Sequence, residues 1–293
     1  MPLDGTELGE TAIPYGEELA ARLDKELVLL HVRGRDSQGF GPVRWSYLNR
    51  LAECVGRHME ERRPNGGRAR VSTMQVDDRA GSVCRLVVNN DIEMIVMAAS
   101  SHSGLSPVRT IGFPSERSCQ RIPSPIMLVN PRSARRPYQR QKLFERILVP
   151  LDDAPASKLA LPAAERLAVE LNAGITLFQA AHAAIPFTYT DDGVTSLYNY
   201  VQLNQWELER VEEELSRCEA ELKAKGLDAD HIVVSGLKTA EEILRAVERV
   251  GADLIVMSGD ERTGVLRRFF VSLTERVLKL GDIPVVEANS RAY

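Results

Sequence analysis

"MPLDGTELGETAIPYGEELAARLDKELVLLHV" (1–32) and "VPLDDAPASKLALPAAERLAVELNAGITLFQA" (149–180) are one pattern written twice. Pro2, Leu3 and Asp4 fall on Pro150, Leu151 and Asp152 at a spacing of 148. Pro14, Glu17, Leu19 and Leu23 fall on Pro162, Glu165, Leu167 and Leu171 at the same spacing. Further along, "IEMIVMAASSHSGL" (92–105) matches "ADLIVMSGDERTGV" (252–265) at a spacing of 160. "ERSCQRIPSPIMLV" (116–129) then matches "ERVLKLGDIPVVEA" (275–288) at 159. The matches keep their order while the spacing drifts, as expected of a duplicated unit with a longer middle in its second copy.

Periodicity gives the fold of each unit. In the second copy "RILVPLD", "ITLFQAA", "HIVVSG", "DLIVMSG" and "IPVVEA" are short apolar runs suited to strands buried on both faces. Between them, "PASKLALPAAERLAVEL", "LNQWELERVEEELSRCEAELKAKG", "TAEEILRAVERVG" and "SLTERVLKLG" carry apolar residues at helical spacing, with Gly226 closing the longest. The first copy repeats the order as "ELVLLHV", "SYLNRLAECVGRHMEER", "RVSTMQV", "AGSVCRLVVNN", "EMIVMAA" and "SPIMLVN". Strands alternating with helices require crossovers and a parallel sheet. The expected organisation is a first domain over 1–130, a basic linker over 131–144 and a second domain over 145–293. The linker region "NPRSARRPYQRQKLFER" (130–146) reads as an exposed tether; its arginines serving a polyanion is the alternative.

One asymmetry stands out. The first copy begins at the Met–Pro–Leu–Asp position, so most of its opening strand is missing. That strand is central in such sheets, and its neighbours are left with unpaired ladder groups. Another chain segment filling the slot, an open and weakened sheet, and a misplaced start are all consistent with this.

Composition excludes several classes. At 293 residues the chain accommodates two domains, and 44% hydrophobic with 27% charged residues is that of a soluble globular protein. A formal net charge of −4 gives no basic field for nucleic acid. No run approaches the ~20 apolar residues of a membrane span. The N-terminus lacks the basic start and apolar core of a secretory signal. Four cysteines without metal-ligand spacing suit a reducing cytoplasm.

With the repeat, the segments "ILVPLDDAPASKLALPAAERLA", "ADLIVMSGDERTGVLRR" and "SLTERVLKLGDIPVVEA" and their first-copy partners, the chain resembles the universal stress protein (UspA) family in its tandem two-domain form. The resemblance covers nearly all of the chain, with the linker and "PFTYTDDGVTSLYNY" outside it. It implies two Rossmann-like, adenine nucleotide alpha hydrolase-like α/β domains, each a parallel sheet of order 3-2-1-4-5 flanked by helices. It also implies pairing of domains into dimers or pseudo-dimers, and two branches, of which one binds ATP.

The ATP-binding branch carries a G-x2-G-x9-G-[ST] loop after its fourth strand, where bare glycines let backbone N–H groups approach the phosphates. Carried onto the second copy, its positions fall on Ser258, Glu261, Val271 and Ser272; only the hydroxyl matches. Asp260 and Glu261 would repel a polyphosphate, at about 4 kcal/mol per unit pair before screening; Arg262, Arg267 and Arg268 would offset part of this. In the first copy the positions are Ala98, Ser101, Gly112 and Phe113, less hostile but with one glycine of three. If a nucleotide binds, the resemblance places Asp4, Val32, Met97, Ala98, Ser101 and Gly112 around it in the first copy. In the second copy the corresponding set is Asp152, Ala180, Met257, Ser258 and Ser272. Asp152 reads more simply as a cap on the turn that follows its strand.

No catalytic constellation emerges. The five histidines make no HxH or HExxH spacing, "SSHSG" (100–104) lacks a nucleophile elbow, and neither a Walker lysine motif nor GxGxxG is present. The expectation is a non-enzymatic cytoplasmic stress protein with degenerate nucleotide loops and no cofactor, acting by protein association. The alternative is an ATP- or AMP-binding sensor using the first domain or the cleft between domains. The apolar terminal strands "PIMLV" and "IPVVEA" are expected to pair the copies as a pseudo-dimer and to support a homo-oligomer, a dimer in the simplest case, with neither membrane nor nucleic acid as partner. The aromatic-rich insert "IPFTYTDDGVTSLYNYVQLNQW" would cover a cleft or a partner surface, or pack on the long helix.

Overall fold

The computed structural model describes residues 1–33, 41–63, 68–77, 82–100, 109–110, 124–132, 142–153, 155–181, 193–235, 240–258 and 273–288. The first copy runs β1 (Pro2–Leu3), α1 (Glu7–Glu10), α2 (Ile13–Arg22), β2 (Leu27–Arg33), α3 (Gly41–Arg62), β3 (Val71–Asp77), α4 (Ser82–Asn89), β4 (Ile95–Ser100), β5 (Arg109–Thr110) and β6 (Ile126–Val129). The second opens with β7 (Arg146–Leu151) and a 3-10 turn (Pro155–Leu159), then α5 (Ala160–Leu171), β8 (Gly174–Ala181) and α6 (Gly193–Ala224). It closes with β9 (Ala229–Ser235), α7 (Ala240–Val250), β10 (Leu254–Ser258), α8 (Leu273–Leu280) and β11 (Val285–Ala288).

The duplication is visible in the backbone. Helices α2 and α5 end at corresponding left-handed residues, Asp24 at φ 52° and Asn172 at φ 47°. Helices α4 and α7 end likewise at Asp91, φ 50°, and Gly251, φ 67°. Asp and Asn tolerate this region better than other side chains, so each copy stops its helices by the same device.

The second copy has the expected strand order. Its strands lie β9-β8-β7-β10-β11, all parallel, which is 3-2-1-4-5 in copy order. The first copy departs from a continuous sheet. Strands β1-β2-β3 form a three-stranded sheet, whereas β4 and β6 belong to the eight-stranded one, and β5 pairs antiparallel to β4. The second copy supplies the reason. There β7 joins β10 through Ile147 and Leu148 only, against Leu254 and Ile255. Met1 corresponds to Val149, and among the described residues β1 pairs with β2 but not with β4.

The copies are joined edge to edge. β11 runs antiparallel to β6, with Val285, Val286 and Glu287 opposite Leu128, Met127 and Ile126. Asn130, buried just beyond β6, donates to Leu278 O at 2.6 Å and Gly281 O at 2.8 Å, closing the C-terminus of α8. Arg22 at the end of α2 donates to Leu171 O at the end of α5 and, at 3.4 Å, to Phe144 O. One apolar cluster therefore holds Tyr15, Leu19, Val96 and Met127 with Ile147, Val149, Leu167 and Val286.

Two expectations need correction. The terminal strands cannot recruit a second chain, because β6 already lies between β4 and β11, and β11 between β6 and β10. A further copy would need a different surface. The linker is not exposed at its ends: Asn130, Leu143 and Phe144 are buried, the two apolar side chains in the shared cluster. Residues 133–141, and the aromatic insert up to 192, lie outside the described residues.

On β9, His231 sits between Glu219 and Glu212 of α6, with Nε2 2.9 Å from Glu212. Burial alone would lower its pKa, but the two carboxylates prevail and hold it above the usual 6.5. A raised folded-state pKa contributes stability that is complete below the unfolded value and fades as pH rises through the folded one. His231→Gln is therefore expected to lose about 1 kcal/mol at pH 5.5 and little at pH 9. Urea titration at both values checks this; equal losses would contradict it.

Candidate functional site

In open α/β sheets ligands collect at the carboxyl ends of the strands where the order reverses. Here that point lies between β7 and β10. Their pairing ends at Leu148 and Ile255, and Val149–Leu151 and Val256–Ser258 run on beyond it without pairing each other. Met257 is buried, and Ser258, half-buried, is the last paired residue of β10, opposite Ala288. Ala180 is buried near the end of β8.

Asp152 follows β7 directly. Its N–H donates to Ser157 Oγ at 3.1 Å, and the Ser157 hydroxyl donates to Asp152 O at 2.8 Å, so the turn is closed from within. The next residue is the one sequence reasoning undervalued. The Asp153 carboxylate accepts from Gln179 Nε2 at 3.1 Å and from Arg210 at 2.7 Å, which ties the end of β7 to β8 and α6. Glu207 and Asp153, both bonded to the Arg210 guanidinium, raise its pKa. An acid, an amide and a cation thus satisfy one another beside the strand ends. Gln179, buried inside a strand, was the available signal, since a buried amide needs partners.

The first copy closes its turn differently. Asp4 Oδ1 accepts from Thr6 N–H at 2.9 Å and from the Thr6 hydroxyl at 2.7 Å. The Thr6 hydroxyl in turn accepts from Gly9 N–H at 3.1 Å, capping α1. Gly5 provides the positive φ of 80° that this tight bend requires. Met97 and Ala98 are fully buried on β4, and Val32 lies near the end of β2, paired with Val76. Thus Asp4 and Asp152 both lie at strand-to-helix turns, while Met97 and Ala98 are core residues within β4 and Ala180 and Met257 core residues near the ends of β8 and β10. Ser101, Gly112, Phe113, Asp260, Glu261, Val271 and Ser272 lie outside the described residues. Among the described residues no group of His, Cys, Asp and Glu is placed to hold a metal, and no helix is long and apolar enough to cross a membrane.

The family model for the universal stress protein family matches residues 1–130 and again residues 143–286. The chain belongs to the universal stress protein family. Two Bacillus subtilis proteins are similar to about half of this tandem universal stress protein. Stress response protein NhaX is 28% identical over 163 residues, 48% of this chain and 96% of its own length. Universal stress protein YxiE is 26% identical over 152 residues, 49% of this chain and 98% of its own. The crystal structure of a universal stress protein from Archaeoglobus fulgidus aligns with 99% of this chain and 97% of its own at a TM-score of 0.63 and 16% identity, a likeness of fold.

This universal stress protein also has a cavity of about 400 Å³, away from the strand carboxyl ends. It lies at the opposite end of the first copy, walled by Leu27 and Val28 of β2 and by Met94 and Val96, with Arg166 and Leu167 of α5. Glu93 at its rim pairs with both Lys25 and Arg166, which hold its carboxyl below the usual range. The side chain of Met1 enters the cavity over Gly16, where a Cβ would collide with the Met1 methyl. The counterpart of Gly16 is Ala164.

Proposed function

We propose that this protein is a non-enzymatic, cytoplasmic universal stress protein that has lost phosphate binding and acts by association with another protein. The observation that carries the reading is the replacement of the phosphate-loop glycines by Ser258, Glu261 and Val271. Close approach of backbone N–H groups to a polyphosphate needs positions without side chains, and a carboxylate adds repulsion. The bonding of Asp153 to Gln179 and Arg210 supports the same reading, because an adenosine at the end of β7 and β8 would have to displace it. No cofactor is required.

The second reading is an ATP- or AMP-binding sensor working through the first copy or the cleft between copies. Ala98 and Ser101 favour it, being small and uncharged where the second copy has Ser258 and the carboxylate of Glu261. Calorimetry separates the two. ATP and AMP are expected to give no saturable heat with the purified chain, and ATP turnover is expected to stay at the buffer rate. One-to-one saturation by either nucleotide would overturn the proposal. Glu261→Gly combined with Val271→Gly is expected to gain ATP affinity by about tenfold or more if side chains at the bare positions are the obstacle. An unchanged isotherm would place the obstacle elsewhere.

A further inference from the structure

Strand β3 stands at the end of the three-stranded sheet, with β2 on one side and no second neighbour among the described residues. One bond sets its main-chain directions. Leu27 N–H donates to Arg70 O at 2.9 Å, so the groups of Arg70, Ser72, Met74 and Val76 face β2. By alternation the N–H and C=O groups of Val71, Thr73 and Gln75 face outward. Native edges are commonly blunted by charges, prolines or bulges. β3 has neither charge nor proline between Val71 and Val76, and its register with β2 runs unbroken. The corresponding edge of the second copy, β9, is guarded. Asp230 and His231 lie within it, the first bound by Arg146 at 3.1 Å and the second by Glu212 at 2.9 Å.

Charge decides what suits the β3 edge. Arg68 and Arg70 precede the strand, whereas Asp77 ends it and Asp78 follows in sequence. The same strand from a second copy, laid antiparallel, brings each basic end to an acidic end; laid parallel, it sets like beside like. Antiparallel self-pairing is also a closed two-fold contact. The bond directions fix its register. An outward-facing residue must stand opposite an outward-facing one, and full overlap of the seven residues then places Met74 on the axis. Thr73 stands opposite Gln75, Val71 opposite Asp77, and Arg70 opposite Asp78.

Helix α3 adds an apolar contact at this edge. Asn49 Oδ1 accepts from the Thr73 hydroxyl at 2.9 Å, a Cβ on Gly56 would touch Val71 at 3.8 Å, and Glu60 accepts from Ala69 N–H at 3.2 Å. Trp45 lies one turn ahead of Asn49 on the same helical stripe, which places it over the carboxyl end of β3. It is 38% exposed, and Val71 of a second copy would arrive beside it.

We propose that the β3 edge is a homodimer interface, at which two copies of this chain pair antiparallel about Met74 and join their three-stranded sheets into one. The outward groups of Val71, Thr73 and Gln75 become ladder bonds, as in other cases of strand addition. The terminal strands β6 and β11, already paired inside the chain, take no part. The proposal is independent of whether the loops bind nucleotide.

Analytical ultracentrifugation of the full chain is expected to give a dimer that weakens as salt rises. Gln75→Pro is expected to raise the dimer dissociation constant about tenfold or more. Its melting curve should change little, because the Gln75 N–H points away from β2 and prolines are tolerated on such edges. Arg70→Asp should weaken the dimer likewise, and adding Asp78→Arg should restore it. Met74→Cys is expected to form an intermolecular disulfide on oxidation, since non-bonded antiparallel pairs bring Cα atoms to about 4.5 Å. A monomer at every concentration, a dimer indifferent to Gln75→Pro, or no crosslink beyond that of the parent chain would overturn the proposal. So would slow hydrogen exchange at Thr73 and Gln75 in a monomer, since another segment of the same chain would then cover the edge.

Discussion

Val286→Asp is expected to abolish the folded two-copy arrangement. Val286 is fully buried on β11, and its register partner across the junction is Met127 of β6, also fully buried. A carboxylate placed there has no cationic partner in the apolar cluster around it. Leaving such a charge unpaired costs several kcal/mol, with about 3–5 kcal/mol measured for broken buried pairs. That is a large share of a typical total stability of about 5–15 kcal/mol. The expected outcome is insoluble or protease-sensitive protein, read by soluble yield and circular dichroism. Val286→Ala should remain folded with a smaller loss of about 1–3 kcal/mol. Met127→Asp should behave as Val286→Asp does, because the two residues face one another at one junction. A soluble Val286→Asp chain with an unchanged melting curve would show that the β6–β11 pairing does not hold the copies together.

Phe144→Ala is expected to destabilise the chain by about 3–5 kcal/mol. The ring is fully buried and lies 6.0 Å, centroid to centroid and tilted 49°, from that of Tyr15 in the first copy. Its carbonyl accepts from Arg22, so the residue binds α2 to the start of the second copy through both its side chain and its main chain. Truncation would leave a cavity between the copies that neither α2 nor β7 can fill without moving. Urea denaturation checks the size of the loss. Phe144→Leu, which restores most of the volume, should recover more than half of it. A loss below about 1 kcal/mol would mean that the ring packs only loosely between the copies.

Much of this architecture was legible in the residues. The paired "PLD" segments and the "LIVM"-type runs gave the duplication, and apolar runs alternating with amphipathic helices gave a parallel sheet; the strand order of the second copy came from the family resemblance. Legibility failed where distant residues decide the outcome. "KLFER" resembled a tether because its neighbours are Arg, Gln and Pro, yet Leu143 and Phe144 enter a core whose other half is more than a hundred residues away. The Asp153–Gln179–Arg210 bonding joins three elements, and the amide of Gln179 within an apolar strand was its one local signal, without naming the partners.

The sequence by itself determined the repeat, the helix and strand periods, the left-handed helix ends and the loss of loop glycines, because each depends on residue type within one turn or strand. Only the tertiary structure decided that β6 and β11 satisfy each other's edges inside the chain, and that β1-β2-β3 form a sheet separate from the one that holds β4 and β6. Those outcomes depend on which main-chain donors and acceptors meet across the fold, and hydrogen bonding between strands is the same for every side chain.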